Sequence, residues 1–191
     1  MVSAPMLTLP NFLTLLRIIA IPVFLVLLTG GNHAAAFVLF LCAGITDAID
    51  GAVARLTDSR SELGAVLDPM ADKLLLLSSF IVLGANGAIA LWLVVLVISR
   101  DVIVVLGYLL IYLVHQESME VDPSRWGKVN TFFELFTVGF ALMTLAKPML
   151  PYVATTLDVF QWVTAVTTAA SGTQYVYRGL LWHQQHGNVV Q

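Results

Sequence analysis

Four of the twelve acidic residues of this chain, Asp47, Asp50, Asp68 and Asp72, lie close together in sequence. The first two are three residues apart and the last two are four apart, so each pair would share one face of a helix. Four carboxylates on facing helix ends repel one another unless positive charge lies between them. Two divalent cations, held about 3.5–4 Å apart, would match their charge. The spacing therefore indicates a two-metal site.

Two other interpretations of these aspartates stay open at this point. Carboxylates in a membrane can relay protons or couple ions, as in a small ion or metal transporter, which predicts ion-dependent flux in vesicles. They can also pair with cations in a purely structural network, although such a network needs one partner for each acid. The candidate partners are Arg17, Arg55, Lys73 and Arg100.

Small residues accompany the acidic ones. Gly51 and Ala54 lie on the same side as the first two aspartates, and Gly64 lies one helical turn before the third. Short side chains there leave room beside the metals for a flat or bulky group. Close helix packing also uses small residues, but it gives no reason to place them next to carboxylates. A metal-bound phosphorylated ligand with a base or a sugar gives such a reason, because it needs space beside the metals.

The elements that must position these residues are membrane helices. The chain has 191 residues, of which 59% are apolar and 11% charged, and its mean hydropathy is +0.89. Soluble domains carry about 25% charged residues. Apolar runs begin near positions 9, 34, 63, 88, 129 and 153, and a span needs about 20 residues. The prediction is an all-α integral membrane protein, with about six transmembrane helices in one bundle and residues 1–191 in one domain.

The distribution of basic residues predicts how these helices are oriented. With six spans, both termini share a side with the polar connections 57–62 and 116–128. The positive-inside rule then makes that side, which carries the aspartates, cytoplasmic, in a bacterial inner membrane or an equivalent organelle membrane. The opposite side offers only Lys147. The basic residues on the aspartate side are Arg55, Arg60, Arg125, Lys128 and Arg178.

At this point the residues form a recognisable motif. The pattern D-x-x-D-G-x-x-A-R, eight residues, G-x-x-x-D-x-x-x-D is filled at every defined position from Asp47 to Asp72. This resembles the signature of the CDP-alcohol phosphotransferase family. The similarity extends to chain length, to the number of spans, and to Thr14 and Arg17 in the first helix. The resemblance implies displacement by an alcohol at the lipid-side phosphorus of CDP-diacylglycerol, with CMP leaving.

The resemblance also implies roles for the motif. Asp47, Asp50 and Asp68 would ligate Mg²⁺ or Mn²⁺. Asp72 would help to hold metal and act as the general base on the acceptor hydroxyl. The nucleotide would bind at Gly51, Ala54, Arg55 and Gly64. Members of the family are commonly homodimers, and their partners are membrane lipids rather than nucleic acid.

The acceptor must be selected outside the motif. Arg100, Arg125 and Lys128 would lie on the aspartate side and could bind an acceptor phosphate. Arg100 interrupts an apolar run and needs a partner or a cavity. Asp101 should point about 100° away from it on a helix, so Asp101 is not an obvious partner.

The flanking segments 98–102, 127–131 and 167–171 look most like those of the CMP-forming cardiolipin synthases of this family. Phosphatidylglycerophosphate synthases, which use glycerol 3-phosphate, are close relatives and more often carry a lysine where this chain has Asn130. Loss of that positive charge would favour a phosphodiester over a phosphomonoester dianion. Phosphatidylglycerol is therefore the expected acceptor, with glycerol 3-phosphate as the alternative.

Overall fold

The computed structural model describes residues 9–57, 62–115, 125–147 and 151–186, and in some stretches, among them 9–13, 48, 50–57 and 62–66, the description covers the backbone alone. All regular structure in these ranges is helical, which confirms the all-α prediction. The six helices found there are α1 (Leu9–Thr29), α2 (His33–Thr57), α3 (Glu62–Ala85), α4 (Leu91–His115), α5 (Arg125–Ala146) and α6 (Pro151–His186).

Glycines in the left-handed conformation end two of these helices. Gly31 follows α1 with φ 79°, and Gly87 follows α3 with φ 72°, a conformation that a side chain disfavours. Asn32 caps the start of α2, since its side-chain Oδ1 accepts a hydrogen bond from the backbone N–H of Ala35 at 3.3 Å. The α1–α2 turn is thus encoded by three consecutive residues, Gly30, Gly31 and Asn32.

The chain divides into two compact units. The first comprises Met1–Ala88 and Val138–Ala154, and the second comprises Ile89–Thr137 and Thr155–Gln191. In the first unit, α1 packs against both α2 and α3. Phe24 of α1 and Phe40 of α2 are buried with their ring centroids 6.0 Å apart. On α3, Phe80 and Leu83 are wholly buried. These contacts hold α1 between the two helices that carry the aspartates.

The second unit combines an apolar core with buried hydroxyl groups. Leu93 and Val97 of α4 are 0% and 2% exposed. The rings of Phe136 and Phe160 stack at 5.8 Å between centroids. The hydroxyl groups of Thr137 on α5 and Thr164 on α6 are 2.8 Å apart and both buried. Here α5 and α6 are therefore joined by polar as well as apolar contacts.

Large apolar side chains cover much of the outer surface. Val26, Val105 and Val166 are 69%, 65% and 65% exposed, and a soluble monomer rarely leaves extensive apolar surface in water. Among the described helices, Leu91–Leu110 and Arg125–Ala146 are long and apolar enough to cross a membrane, while Thr14–Thr29 and His33–Asp47 are shorter apolar stretches. The fold is consistent with a membrane protein.

Candidate active site

The candidate site begins with two polar residues in an apolar helix. Thr14 and Arg17 are three residues apart in α1, so they share a face, and they are 2% and 5% exposed. Arg17 is the one charged residue of α1. A cation in such a helix requires a partner of opposite charge or a polar cavity. Both side chains find acidic partners within the first unit.

Arg17 bridges the two helices that carry the motif. Its Nη2 lies 2.8 Å from Asp47 Oδ1 on α2, and its Nη1 donates a hydrogen bond of 2.8 Å to Asp72 Oδ1 on α3. The Arg17 side chain is 4% exposed, whereas those of Asp47 and Asp72 are 41% and 40% exposed. One buried guanidinium therefore joins two carboxylates that remain accessible. The pairing considered for the structural network exists for these two aspartates.

Asp68 has a neutral partner. The Thr14 hydroxyl donates a hydrogen bond to Asp68 Oδ1. A hydroxyl donor orients a carboxylate without cancelling its charge. Asp68 and Asp72 are four residues apart on α3, and each is bound by a residue of α1. The first helix thus orients both aspartates of α3. The sequence did not predict this role for Thr14, and it predicted a pairing of Arg17 with the aspartates only in the structural-network alternative.

The donor chemistry of this cluster fits a hard divalent cation. Asp47, Asp68 and Asp72 offer only carboxylate oxygens, the ligands that Mg²⁺ and Mn²⁺ prefer. No three acidic, histidine or cysteine side chains within the described part of the chain already form a metal-binding group. The side chain of Asp50, the fourth predicted ligand, lies outside that part. The two-metal site stays a prediction.

The side chains of the predicted nucleotide-binding residues also lie outside the described part of the structure. The backbone nevertheless places both halves of the motif on helices, since α2 continues to Thr57 and α3 begins at Glu62. The helical spacing on which the motif was interpreted is therefore present. The residues concerned are Gly51, Ala54, Arg55 and Gly64.

An apolar groove of about 330 Å³ lies between α1 and α2, next to the paired carboxylates. Arg17 and Thr46 lie at one end of its lining, and Thr46 directly precedes Asp47. The rest of the lining is apolar, which suits an aliphatic group better than a polar one. Its other residues are Leu16, Ile19, Ala20, Val23, Leu39, Cys42 and Ala43.

The predicted acceptor residues lie in the second unit. Arg100 Nη1 donates to Asp101 Oδ1 at 3.0 Å, and Nη2 donates to Ser171 Oγ of α6 at 2.5 Å. The expectation that Asp101 would not partner Arg100 was wrong, because the long arginine side chain reaches back to its neighbour. Arg125 and Lys128, in the first turn of α5, are both exposed. Of these three residues, Arg100 is the one with side-chain hydrogen bonds to other residues in the described part of the chain.

Asn130 is structural rather than exposed to a ligand. It is 0% exposed, and its Nδ2 donates to Glu134 Oε1 at 2.7 Å. Its Oδ1 accepts hydrogen bonds from the hydroxyls of Thr167 and Thr168 at 3.0 and 2.8 Å. The expected effect of Asn130, a preference for a phosphodiester acceptor, is therefore not supported by an exposed side chain that could contact the acceptor.

The fold and the acidic motif define a helical protein with a carboxylate site built on three helices. The family model described as CDP-alcohol phosphatidyltransferase matches residues 7–170. The chain therefore belongs to the CDP-alcohol phosphatidyltransferase family, which confirms the resemblance of the motif. Its members are CDP-diacylglycerol-dependent phosphatidyltransferases, and the enzyme class is confirmed with it.

Several curated relatives are similar along most of the chain. A probable phosphatidylglycerophosphate synthase of Mycobacterium tuberculosis is 36% identical over 179 residues, which cover 90% of this chain and 81% of that protein. The CMP-forming cardiolipin synthase of Homo sapiens is 31% identical over 191 residues, covering 90% and 62%. The CDP-diacylglycerol–glycerol-3-phosphate 3-phosphatidyltransferase of Bacillus subtilis is 31% identical over 185 residues, covering 89% and 94%. The names of its relatives thus include both a cardiolipin synthase and a phosphatidylglycerophosphate synthase.

Proposed function

We propose that this enzyme transfers the phosphatidyl group of CDP-diacylglycerol to the free hydroxyl of phosphatidylglycerol, which releases CMP and forms cardiolipin. The acceptor oxygen forms a bond to the lipid-side phosphorus while the bond from that phosphorus to the CMP oxygen breaks. The hydroxyl proton goes to a carboxylate. The observation that carries the proposal is the pair of accessible aspartates, Asp47 and Asp72, joined by Arg17, in a chain whose family performs this class of reaction.

The aspartates are proposed to divide two tasks. Asp47, Asp50, Asp68 and Asp72 would hold two divalent cations, Mg²⁺ or Mn²⁺, which supply positive charge against the diphosphate. Asp72 would also accept the proton of the acceptor hydroxyl. Its hydrogen bond to Arg17 fixes the orientation of its carboxylate, and Thr14 does the same for Asp68. The site residues would thus be aligned by α1 before substrate arrives.

The nucleotide is proposed to bind beside the aspartates. Gly51, Ala54 and Gly64 would leave space for the cytidine, and Arg55 would support the site. The support for this assignment is the complete motif and its helical backbone.

Phosphatidylglycerol is the preferred acceptor because of the charge around Arg100. The Arg100 guanidinium is paired with the Asp101 carboxylate at 3.0 Å, with both side chains little exposed, at 12% and 13%. A paired cation attracts a monoanionic phosphodiester sufficiently, but it compensates a phosphomonoester dianion less completely. Arg125 and Lys128 are proposed to assist from the surface. Glycerol 3-phosphate is the second candidate, supported by the name of the Bacillus subtilis relative.

The setting of this reaction is proposed to be a membrane. All six helices would span it as one domain over residues 1–191, with the aspartates on the cytoplasmic side of a bacterial inner membrane or an equivalent organelle membrane. The clustering of basic residues near the aspartate-bearing helix ends supports that orientation. A homodimer is proposed because members of the family are commonly homodimers.

The test is a reconstituted assay with CDP-diacylglycerol and Mg²⁺, in which phosphatidylglycerol and glycerol 3-phosphate are offered in turn. CMP and the lipid product are both measured. Cardiolipin formed with phosphatidylglycerol, and little product with glycerol 3-phosphate, is the expected result. Turnover with glycerol 3-phosphate alone would replace the proposed acceptor with the second candidate. Ion flux in vesicles with no CMP release would refute the enzymatic function.

A further inference from the structure

Arg100 is held in a defined position inside the second unit. Its side chain is 12% exposed and lies in a helix of otherwise strongly apolar sequence. One N–H of Nη1 is bonded to Asp101 and one N–H of Nη2 to Ser171. Its Nε is buried and has no acceptor among the residues that the structure describes. Since a guanidinium has five N–H donors, these contacts leave donors for a further anion.

Three residues of α6 shape the place that this side chain occupies. Ser171, which is 0% exposed, accepts the Nη2 hydrogen bond at 2.5 Å. The ring of Tyr175 lies 5.3 Å from the guanidinium carbon, measured to the ring centroid, which is a favourable distance for a cation over an aromatic face. A Cβ on Gly172 would lie 3.4 Å from Arg100 Cγ. The aliphatic stem therefore passes over the glycine.

The part of α6 that holds Arg100 is itself fixed in rotation and register. Hydroxyl groups along one face of α6 bond to α5. The Thr164 hydroxyl lies 2.8 Å from the Thr137 hydroxyl. The hydroxyls of Thr167 and Thr168 donate to Asn130 Oδ1 at 3.0 and 2.8 Å. Hydrogen bonds between apolar helices are effective at setting register, because each hydroxyl has few other partners. We call this face the α6 seam, and it consists of Thr164, Thr167, Thr168 and Ser171.

We propose that Ser171, Gly172 and Tyr175 are positioning residues, which orient the Arg100 guanidinium for the phosphate of the acceptor and so set acceptor affinity. Recognition of a phosphate by a guanidinium depends on the direction of its planar fork. Asp101 is a neighbour of Arg100 on the same helix, so α6 supplies the contacts that fix this direction from outside α4. The inference rests on the proposed function in one respect, the assignment of Arg100 to the acceptor.

The first test compares Ser171→Ala with Thr173→Ala. Loss of the serine hydroxyl removes a hydrogen bond to a charged group, so the KM for the acceptor should rise about tenfold, while kcat and the KM for CDP-diacylglycerol stay within about twofold. Thr173 is the matched control, because it is exposed and its hydroxyl bonds, among the residues that the structure describes, to the carbonyls of Ala169 and Ala170 in its own helix. Its substitution should change none of these constants.

The second test uses the size of residue 172. Gly172→Ala adds one carbon at an ordinary contact distance from Arg100, so acceptor KM should stay within about twofold. Gly172→Leu places a larger side chain beside the arginine stem, which its Cβ already contacts, so it should raise acceptor KM as far as Ser171→Ala does. Thermal unfolding in detergent is measured for every variant.

The outcomes separate this inference from the proposed function. Wild-type protein without CMP release on either acceptor would overturn the proposed function and the inference with it. Turnover by the wild type, combined with an unchanged acceptor KM in Ser171→Ala, would overturn the inference alone. A parallel rise in both KM values together with a lower Tm would also overturn it, because that pattern indicates a structural role. Both acceptors are assayed, so that a phosphodiester and a phosphomonoester are distinguished.

Discussion

Replacing Arg17 with methionine tests whether a metal and an arginine share the same carboxylates. The substitution keeps the apolar stem but leaves Asp47 and Asp72 without the cation that each contacts at 2.8 Å. Losing one partner of a buried ion pair costs about 3–5 kcal/mol, and an exposed pair contributes about 0–1 kcal/mol. Since Arg17 is buried and both carboxylates are about two-fifths exposed, we expect a loss between these limits, about 2 kcal/mol.

The assay is thermal unfolding in detergent, in a chelator and in saturating Mg²⁺. For a chain of this size 1 kcal/mol corresponds to about 2–4 °C, so the Tm of Arg17→Met in chelator should fall by about 4–8 °C. A divalent cation that binds these carboxylates replaces the missing positive charge. Mg²⁺ should therefore raise the Tm of the variant more than that of the wild type. Arg178→Met, which removes an exposed arginine, is the control and should unfold like the wild type.

One result would refute this reasoning. If Arg17→Met lowers the Tm equally with and without Mg²⁺, the ion does not bind the carboxylates that Arg17 holds. The pairing would then be a structural network, the alternative that the sequence left open.

Two further predictions concern the second unit. Asn130→Ala removes the acceptor of two buried hydroxyls, so it should lower the Tm by several degrees. Thr131→Ala, at an exposed neighbouring position, should leave the Tm unchanged. Equal Tm values for the two variants would show that the α6 seam adds no stability. Lys128→Met should raise acceptor KM only about two- to threefold, and less at high salt, because Lys128 is exposed and its charge is screened. A rise in acceptor KM as large as that of Ser171→Ala, independent of salt, would contradict its surface role.

Local features of the sequence were sufficient to predict the helices. The first predicted run, 9–29, agrees with α1 as observed, because Gly30, Gly31 and Asn32 encode both the end of one helix and the start of the next. The motif predicted that Asp47 and Asp72 lie on neighbouring helices, and they do share one partner. Spacing along a helix and the residues that stop it are local properties, so a single sequence reveals them.

Contacts between residues far apart in the sequence could not be predicted from these local features. Thr14 reaches Asp68, 54 positions away, and nothing in the spacing of either residue specifies the other. The Arg100–Asp101 contact was mispredicted for a different reason, since backbone direction ignores the reach of a long flexible side chain. The burial of Asn130 depends on how α5 packs against α6. A polar residue in an apolar helix signals that a partner exists, but it does not identify that partner.

The proposed metal-dependent phosphatidyl transfer is tested by CMP release from CDP-diacylglycerol with phosphatidylglycerol present. Wild-type protein should release CMP in Mg²⁺ and stop when a chelator is added. Asp68→Asn, which preserves the shape of the side chain and an oxygen for the Thr14 hydroxyl, should stay folded and release no CMP in Mg²⁺. Undiminished release in chelator, or near-normal turnover by Asp68→Asn, would contradict the metal-binding role of the aspartates.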